Sequence, residues 1–329
     1  MQYSIIIPVY NRPQEVDELL YSLTQLNYKN FEVIVIDDGS TTPCDFVIEK
    51  HRDQLTIYYY FKANSGPGQT RNYGAERAKG TYLIILDSDC ILPPTYFDEV
   101  EKELRKEPTD AFGGPDRAHD SFSPIQKAIN YAMVSFFTTG GIRGGKRKLD
   151  KFYPRSFNMG IRRSVYQELG GFSKMRFGED IDLSIRIYKG GYSCRLFPEA
   201  WVYHKRRTDF KKFYKQVFNF GIARINLYKK YPESLKPVHI LPALFTLGCL
   251  ILLIGSFFSP YSLPPLIFYA LLIGIDSTIK HKSLEIGLYS IVASFIQLIG
   301  YGLGFLKAVW KRCIKKEDEF SSFQKNFYK

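Results

Sequence analysis

Two long stretches of this chain carry no charge at all, residues 240–275 and residues 286–306. Uncharged runs of that length argue against an ordinary soluble domain over the C-terminal third and read as membrane segments, with a buried helical domain as the alternative. Cysteine is scarce and scattered. Cys44, Cys90, Cys194, Cys249 and Cys313 are odd in number and form no CxxC pair, which excludes a disulfide framework or a zinc-ribbon pattern and favours a reducing compartment. No GxGxxG and no GxxxxGK[ST] follows the first apolar run, so the usual dinucleotide and P-loop signatures are missing. No leader-like segment precedes Met1-Gln2-Tyr3, and the N-terminal part is expected to be cytoplasmic.

What is present is basic and patterned. The 329 residues carry a net charge of +12, concentrated at Lys205, Arg206, Arg207, Lys211, Lys212 and Lys215 and again at Lys307, Lys311, Arg312, Lys315 and Lys316. Basic residues flanking apolar spans favour an anionic membrane surface. Interleaved aromatics would also suit nucleic acid, but no nucleic-acid module accompanies them, and none is expected as a partner.

Along residues 1–106, apolar runs alternate with helical periodicity. Runs at residues 3–9, 31–37, 55–60 and 82–86 read as buried strands, and residues 13–26, 46–52 and 67–78 read as helices. Strands alternating with helices predict a mostly parallel sheet covered on both faces. Ligands of such sheets sit outside the carboxyl ends of the strands, where Asn11, Asp38 and Asp89 fall. Tyr82-Leu83-Ile84-Ile85-Leu86 ends in Asp87-Ser88-Asp89, two acids one residue apart that burial does not explain. They can converge on a hard cation and on ligand hydroxyls, or serve as a turn or helix cap before Pro93-Pro94. Arg71 follows Gly66-Pro67-Gly68 and is either a phosphate contact or a solvated helix residue. Residues 107–155 look irregular, and residues 138–148 combine four glycines with four basic residues as a mobile loop or a plain connection. Further on, Glu179, Asp180 and Asp182 open a helix, either as dipole-favoured acids or with one of them as a general base. His204 ends a short strand-like run, Trp201-Val202-Tyr203-His204.

Five segments, in order, resemble a family 2 glycosyltransferase of the GT-A fold: Ile5-Ile6-Ile7-Pro8-Val9-Tyr10-Asn11; Val33-Ile34-Val35-Ile36-Asp37-Asp38-Gly39-Ser40-Thr41; residues 66–80; Asp87-Ser88-Asp89; and Asn158-Met159 with Gly171-Phe172 and Gly178-Glu179-Asp180. The resemblance covers residues 1–230. It implies that Pro8, Tyr10 and Asn11 line the nucleotide pocket, that Asp38 meets the base and that Arg71 lies near the diphosphate. Asp87 would meet ribose or sugar hydroxyls and serve the metal with Asp89 and His204, the ion being Mn²⁺ or Mg²⁺. Asp180 would be the catalytic base, with Glu179 holding the acceptor. Gln216-Val217-Phe218-Asn219-Phe220 departs from the family's QxxRW, with Asn-Phe for Arg-Trp, which argues against processive polymerisation.

The domain expectation is a GT-A catalytic domain over residues 1–230, ending in an interfacial amphipathic helix at 205–230. Membrane helices at 238–310, in two or three segments, and a basic tail at 311–329 follow. Residues 240–258 and 286–306 are long enough to span, whereas residues 263–275 look short. The function expected is inverting, metal-dependent, hexosyl-type transfer from a nucleotide-sugar (a UDP-sugar) to a lipid-linked glycan or surface polysaccharide. It would act at the cytoplasmic face of the inner membrane, beside membrane lipids. The alternatives are a non-catalytic membrane scaffold of the same fold and a nucleotidyltransferase.

Overall fold

The computed structural model describes residues 1–119, 121–140, 151–175 and 177–318. It divides into two compact units, Met1–His119 with Leu149–Lys205, and Asp120–Lys148 with Arg206–Lys329. The helix expected to close the catalytic domain therefore belongs to the second unit, as does an inserted segment before residue 149.

The first unit begins with β1 (Tyr3–Val9), α1 (Pro13–Thr24), β2 (Phe31–Asp37), α2 (Asp45–His51), β3 (Ile57–Phe61), α3 (Pro67–Ala75) and β4 (Tyr82–Leu86). After β5 (Cys90–Ile91), α4 (Tyr96–Lys106), β6 (Ala111–Gly113) and β7 (Asp116–Arg117), the chain enters the second unit for α5 (Pro124–Val134) and α6 (Phe136–Thr139). It returns with β8 (Asn158–Arg162), α7 (Arg163–Glu168), α8 (Glu179–Lys189), β9 (Cys194–Leu196) and β10 (Val202–His204).

The large sheet has the order β3-β2-β1-β4-β8-β6-β9. Only β8 runs against its neighbours β4 and β6; the other pairs are parallel. Alternate residues of β1 face opposite cores, as the period of two requires. Ile5 and Ile7 join Leu19, Leu20, Val47, Phe97 and Val100 on one side, and Ile6 joins Ile85, Val165, Leu183 and Ile187 on the other. Strand order reverses between β1 and β4, which makes the carboxyl ends of those two strands the ligand-binding crevice of such a sheet. A second sheet, β5-β10-β7, sets β10 antiparallel to β5 with His204 opposite Cys90.

Some boundaries differ from expectation. Asp89 caps no helix, because β5 follows at once and α4 starts only at Tyr96. The third helix stops at Ala75 so that Gly80 can close on β1, where its amide donates to Ser4 Oγ at 2.7 Å. The stretch read as irregular holds β6, β7 and α5. Helix α5 starts at a reciprocal cap, with Gln126 N donating to Ser123 Oγ and Ser123 N donating to Gln126 Oε1. Of the glycine-rich basic loop, residues 141–148 lie outside the described residues.

In the second unit, α9 (Phe210–Lys230), α10 (Leu241–Gly255), α11 (Pro264–His281) and α12 (Leu284–Ala308) surround one axis. Helices α5, α9, α10 and α11 all pack on α12. Among the described residues, two helices are long and apolar enough to cross a membrane, Pro260–His281 and Leu284–Ile314. The first expected span is helical only over Leu241–Gly255, ended by the proline-bearing turn before Pro264. The segment thought short runs on to His281, past Asp276, whose charge is paired with Lys280 at 2.7 Å.

Gly160 of β8 lies directly under the Phe112 ring, which is itself stacked on Phe197 at 4.5 Å. No space exists for a methyl group there, and overpacking of this kind costs about 1–3 kcal/mol. Gly160→Ala is expected to lower the unfolding midpoint, and Phe112→Leu in the same chain to restore part of the loss, both read by denaturant titration.

Candidate active site

The crevice between β1 and β4 is built by turns that follow directly from the sequence. Pro8 near the end of β1 and Tyr10 just beyond it are half-buried, and Asn11 takes a left-handed backbone (φ 53°), a conformation asparagine tolerates. Asn11 Oδ1 accepts from Thr41 N at 2.8 Å and Thr42 N at 3.1 Å, and Asn11 N donates to Ser40 Oγ at 2.8 Å. The side chain thus stitches the ends of β1 and β2 together. Asp38, expected to meet a base, is buried and already accepts from Lys62 Nζ (2.5 Å), Ser65 N (2.9 Å) and Gly66 N (2.9 Å). Its carboxylate clamps the loop leading into α3.

The centre of the site is a buried guanidinium. Arg71 in α3 is 3% exposed, which rules out the solvated-helix reading. Its Nη2 donates to Asp87 Oδ1 at 2.7 Å and its Nη1 to Glu179 Oε1 at 3.1 Å. One side chain therefore joins α3, the end of β4 and the start of α8. Burial raises the Glu179 pKa, and Arg71 only partly opposes it. Next to Glu179, Asp180 Oδ2 accepts from Arg155 Nη1 at 3.3 Å, and Asp180 Oδ1 accepts from Ile181 N at 2.8 Å.

On the other side of Asp87, the β5–β10 pairing brings in His204. Its Nε2 lies 3.2 Å from Asp89 Oδ1 and 4.0 Å from Asp87 Oδ2, and its ring stacks on Phe157 at 4.7 Å. Arg12, the residue after Asn11, donates from Nη1 to Asp89 Oδ2 at 2.7 Å. Asp89, Cys90 and His204 offer ligand atoms within 4.8 Å of one another. Carboxylate and imidazole donors suit a cation such as Mn²⁺ or Mg²⁺. Cys90 does not fit that set. Its buried Sγ donates to the Phe157 carbonyl at 3.4 Å, and burial pushes its pKa well above the ordinary thiol value, so it stays a neutral thiol.

Residues 4–170 match the sequence model described as Glycosyl transferase family 2. The chain belongs to that family. A glycosyltransferase of Rickettsia bellii described as uncharacterized is 37% identical over 200 residues, 59% of this chain and 28% of the relative. The poly(ribitol-phosphate) beta-N-acetylglucosaminyltransferase TarS of Staphylococcus aureus is 35% identical over 135 residues, 40% of this chain and 22% of TarS. The chain thus spans less than a third of the length of those relatives. Among solved structures, the mannosyltransferase PcManGT from Pyrobaculum calidifontis, in complex with GDP-Man and Mn²⁺, superposes with a TM-score of 0.61. It is 15% identical, over 94% of this chain and 88% of that one. S. aureus TarS 1-349 with UDP-GlcNAc gives 0.52 at 17% identity, over 96% and 93%. The chain shares their GT-A fold.

The structure links Arg71, Asp87, Asp89, His204 and Glu179 through contacts and sets Asp180 beside Glu179 in sequence, facing Arg155, whereas Asn11 and Asp38 are engaged in holding loops. Sequence reading missed Arg12 and Arg155. Arg12 was signalled by its place just beyond the carboxyl end of β1; Arg155 reaches Asp180 only through the fold.

The raised Glu179 pKa fixes the sign of a pH effect. Between the ordinary value of 4.5 and the folded value, the folded chain keeps a proton that the unfolded chain has released. Stability therefore falls as pH rises through that window and levels above it. Glu179→Gln, which retains an acceptor for Arg71, is expected to flatten this slope in unfolding midpoints measured from pH 4 to pH 9.

Proposed function

We propose that this family 2 enzyme is an inverting, metal-dependent, hexosyl-type transferase. It takes a sugar from a nucleotide-sugar, UDP-linked, to a hydroxyl of a lipid-linked glycan or surface polysaccharide. The observation that carries this reading is the placement of the Asp89–His204 donor pair and Asp180 at opposite ends of the Asp87–Arg71–Glu179 link. A leaving group needs positive charge on one side of the sugar carbon, and an attacking hydroxyl needs a base on the other. The choice of UDP follows TarS, which is related in sequence and solved with UDP-GlcNAc; GDP, as in the mannosyltransferase structure, is the competing donor.

In this reading Asp89 and His204 hold the cation, with Asp87 beside them. A divalent ion bound there supplies charge stabilisation to the diphosphate as the C1–O bond breaks. Pro8 and Tyr10 border the nucleotide, and Asn11 and Asp38 keep its loops in place. Arg71 fixes Asp87 and Glu179 relative to each other. Asp180 takes the proton of the acceptor hydroxyl while the acceptor oxygen forms its bond to C1 from the opposite face. A single base suffices, unlike the two-carboxylate arrangement of glycoside hydrolases. Glu179 borders the acceptor and keeps Arg71 in place.

The second unit is proposed to hold the enzyme at the cytoplasmic face of the inner membrane. Helices α9 and α12 run side by side in the same direction. Phe210 meets Tyr289, Gly300 lies against Val217, and Gly221 lies against Phe305 N. Lys211, Lys212, Lys215, Arg224, Lys229 and Lys230 leave no uncharged run in α9 longer than residues 216–223, which is too short to cross. Both helices therefore lie along the interface in this reading. The α10–α11 pair, joined through Phe257, Phe258 and Tyr261, which are 88%, 87% and 86% exposed, enters the bilayer as a hairpin. Lys280, Lys282 and the Lys307–Lys316 cluster then share one face, as the positive-inside rule favours.

Two measurements test this. Asp180→Asn is expected to keep nucleotide binding by calorimetry while turnover falls by roughly 10²–10⁴; unchanged turnover would remove Asp180 from the role. A tryptophan at position 258, with Trp201 and Trp310 replaced by Phe, is expected to be quenched by lipids brominated in the acyl chain. A tryptophan at Leu303 should be quenched less, and equal quenching would contradict the surface placement of α12.

A further inference from the structure

We propose that Arg12 is a placeholder for the cation of this site, its guanidinium and a divalent ion occupying Asp89 Oδ2 by turns. The proposal rests on the reading of Asp89 as a cation ligand. Asp89 Oδ2 accepts a hydrogen bond from Arg12 Nη1 at 2.7 Å, and its Oδ1 lies 3.2 Å from His204 Nε2. The two partners differ in freedom to move. His204 is fixed by strand pairing with β5 and by its stack on Phe157. The Arg12 side chain is 36% exposed and reaches Asp89, at 9%, from the solvent edge.

Arg71 is the contrasting case. Its side chain is 4% exposed, and both of its terminal nitrogens are held by acids, so it cannot exchange. Among the described residues, Arg12 pairs with one carboxylate, Asp89, at the edge of the crevice. Its backbone is set by the left-handed Asn11 before it and by Pro13 at the first position of α1, so release is a side-chain motion. A guanidinium does not deprotonate under ordinary conditions, so it clears Asp89 only by moving. A divalent ion on the same oxygen would place like charges a few ångströms apart, a repulsion that low dielectric magnifies. Once displaced, Arg12 stands beyond the carboxyl end of β1, beside β4, where a sheet of this kind receives its anionic ligand. Cation and nucleoside diphosphate should therefore favour each other's binding, because the diphosphate gives the displaced arginine a partner.

The test is Mn²⁺ titration of the detergent-purified full chain, with free Mn²⁺ read by electron paramagnetic resonance, first without nucleotide and then with UDP. Arg12→Gln is expected to tighten Mn²⁺ binding roughly tenfold without nucleotide, as removal of an ion pair populated about nine-tenths of the time would do. Arg12→Lys, which keeps the charge, should stay near the wild-type affinity. UDP should strengthen Mn²⁺ binding more in the wild type than in Arg12→Gln. An affinity in Arg12→Gln equal to or weaker than wild type, with unfolding midpoints matched, overturns the placeholder. Asp89→Asn separates the two readings: it is expected to abolish Mn²⁺ binding, and retention would overturn the ligand assignment and the placeholder together.

Discussion

A single guanidinium between two acids sets the geometry of this site. Arg71 holds Asp87 at the end of β4 and Glu179 at the start of α8 while itself lying in α3. Such buried pairs add little net stability, because desolvation offsets attraction, yet removing one partner leaves an uncompensated charge and typically costs about 3–5 kcal/mol. The neighbourhood is built to keep that guanidinium in place. Gly68 leaves room beside Glu179 and Phe172, and Asn72 on the same helix binds the Phe172 backbone through both of its amide groups. Gly171 takes a left-handed backbone (φ 62°) and passes so close to Asn72 and Tyr166 that a side chain would collide. The two segments that meet at the proposed sugar carbon are thus tied to each other through α3.

Around that frame, acids and cations alternate. Asp89 faces Arg12 and His204, Asp87 and Glu179 share Arg71, and Asp180 faces Arg155. Carboxylates this close would not all stay charged in a partly buried crevice without such partners. Glu179, whose pKa is raised by burial, also shares its arginine with another acid.

Much of this was legible in the residues because local pattern and fold agree. The near-continuous apolar runs of β1, β2 and β4 announce strands buried on both faces, and acids at their carboxyl ends announce the crevice. The reading was weakest where tertiary contacts decide. Asp38 looked available for a ligand because its loop partners, Lys62, Ser65 and Gly66, are more than twenty residues away. Helix α5 was overlooked although Ser123 and Gln126 carry a capping signature, because its apolar face matches helices about 85 and 160 residues downstream. The long apolar helices of the second unit were legible from their lack of charge, but their ends depend on prolines and on the Asp276–Lys280 pair, which hydropathy does not register.

The origin of α5 has a practical consequence for anyone dissecting the enzyme. It lies between β7 and β8 in the chain, yet Ala128, Ile129, Ala132 and Met133 are buried against Phe213, Val217, Ile286 and Ala293. Cutting the gene after codon 205 would not liberate a clean soluble catalyst. It would strand an eleven-residue greasy helix on a polypeptide that no longer contains its partners, inviting self-association. A useful soluble fragment would have to excise two pieces of sequence and rejoin the chain across the inner gap.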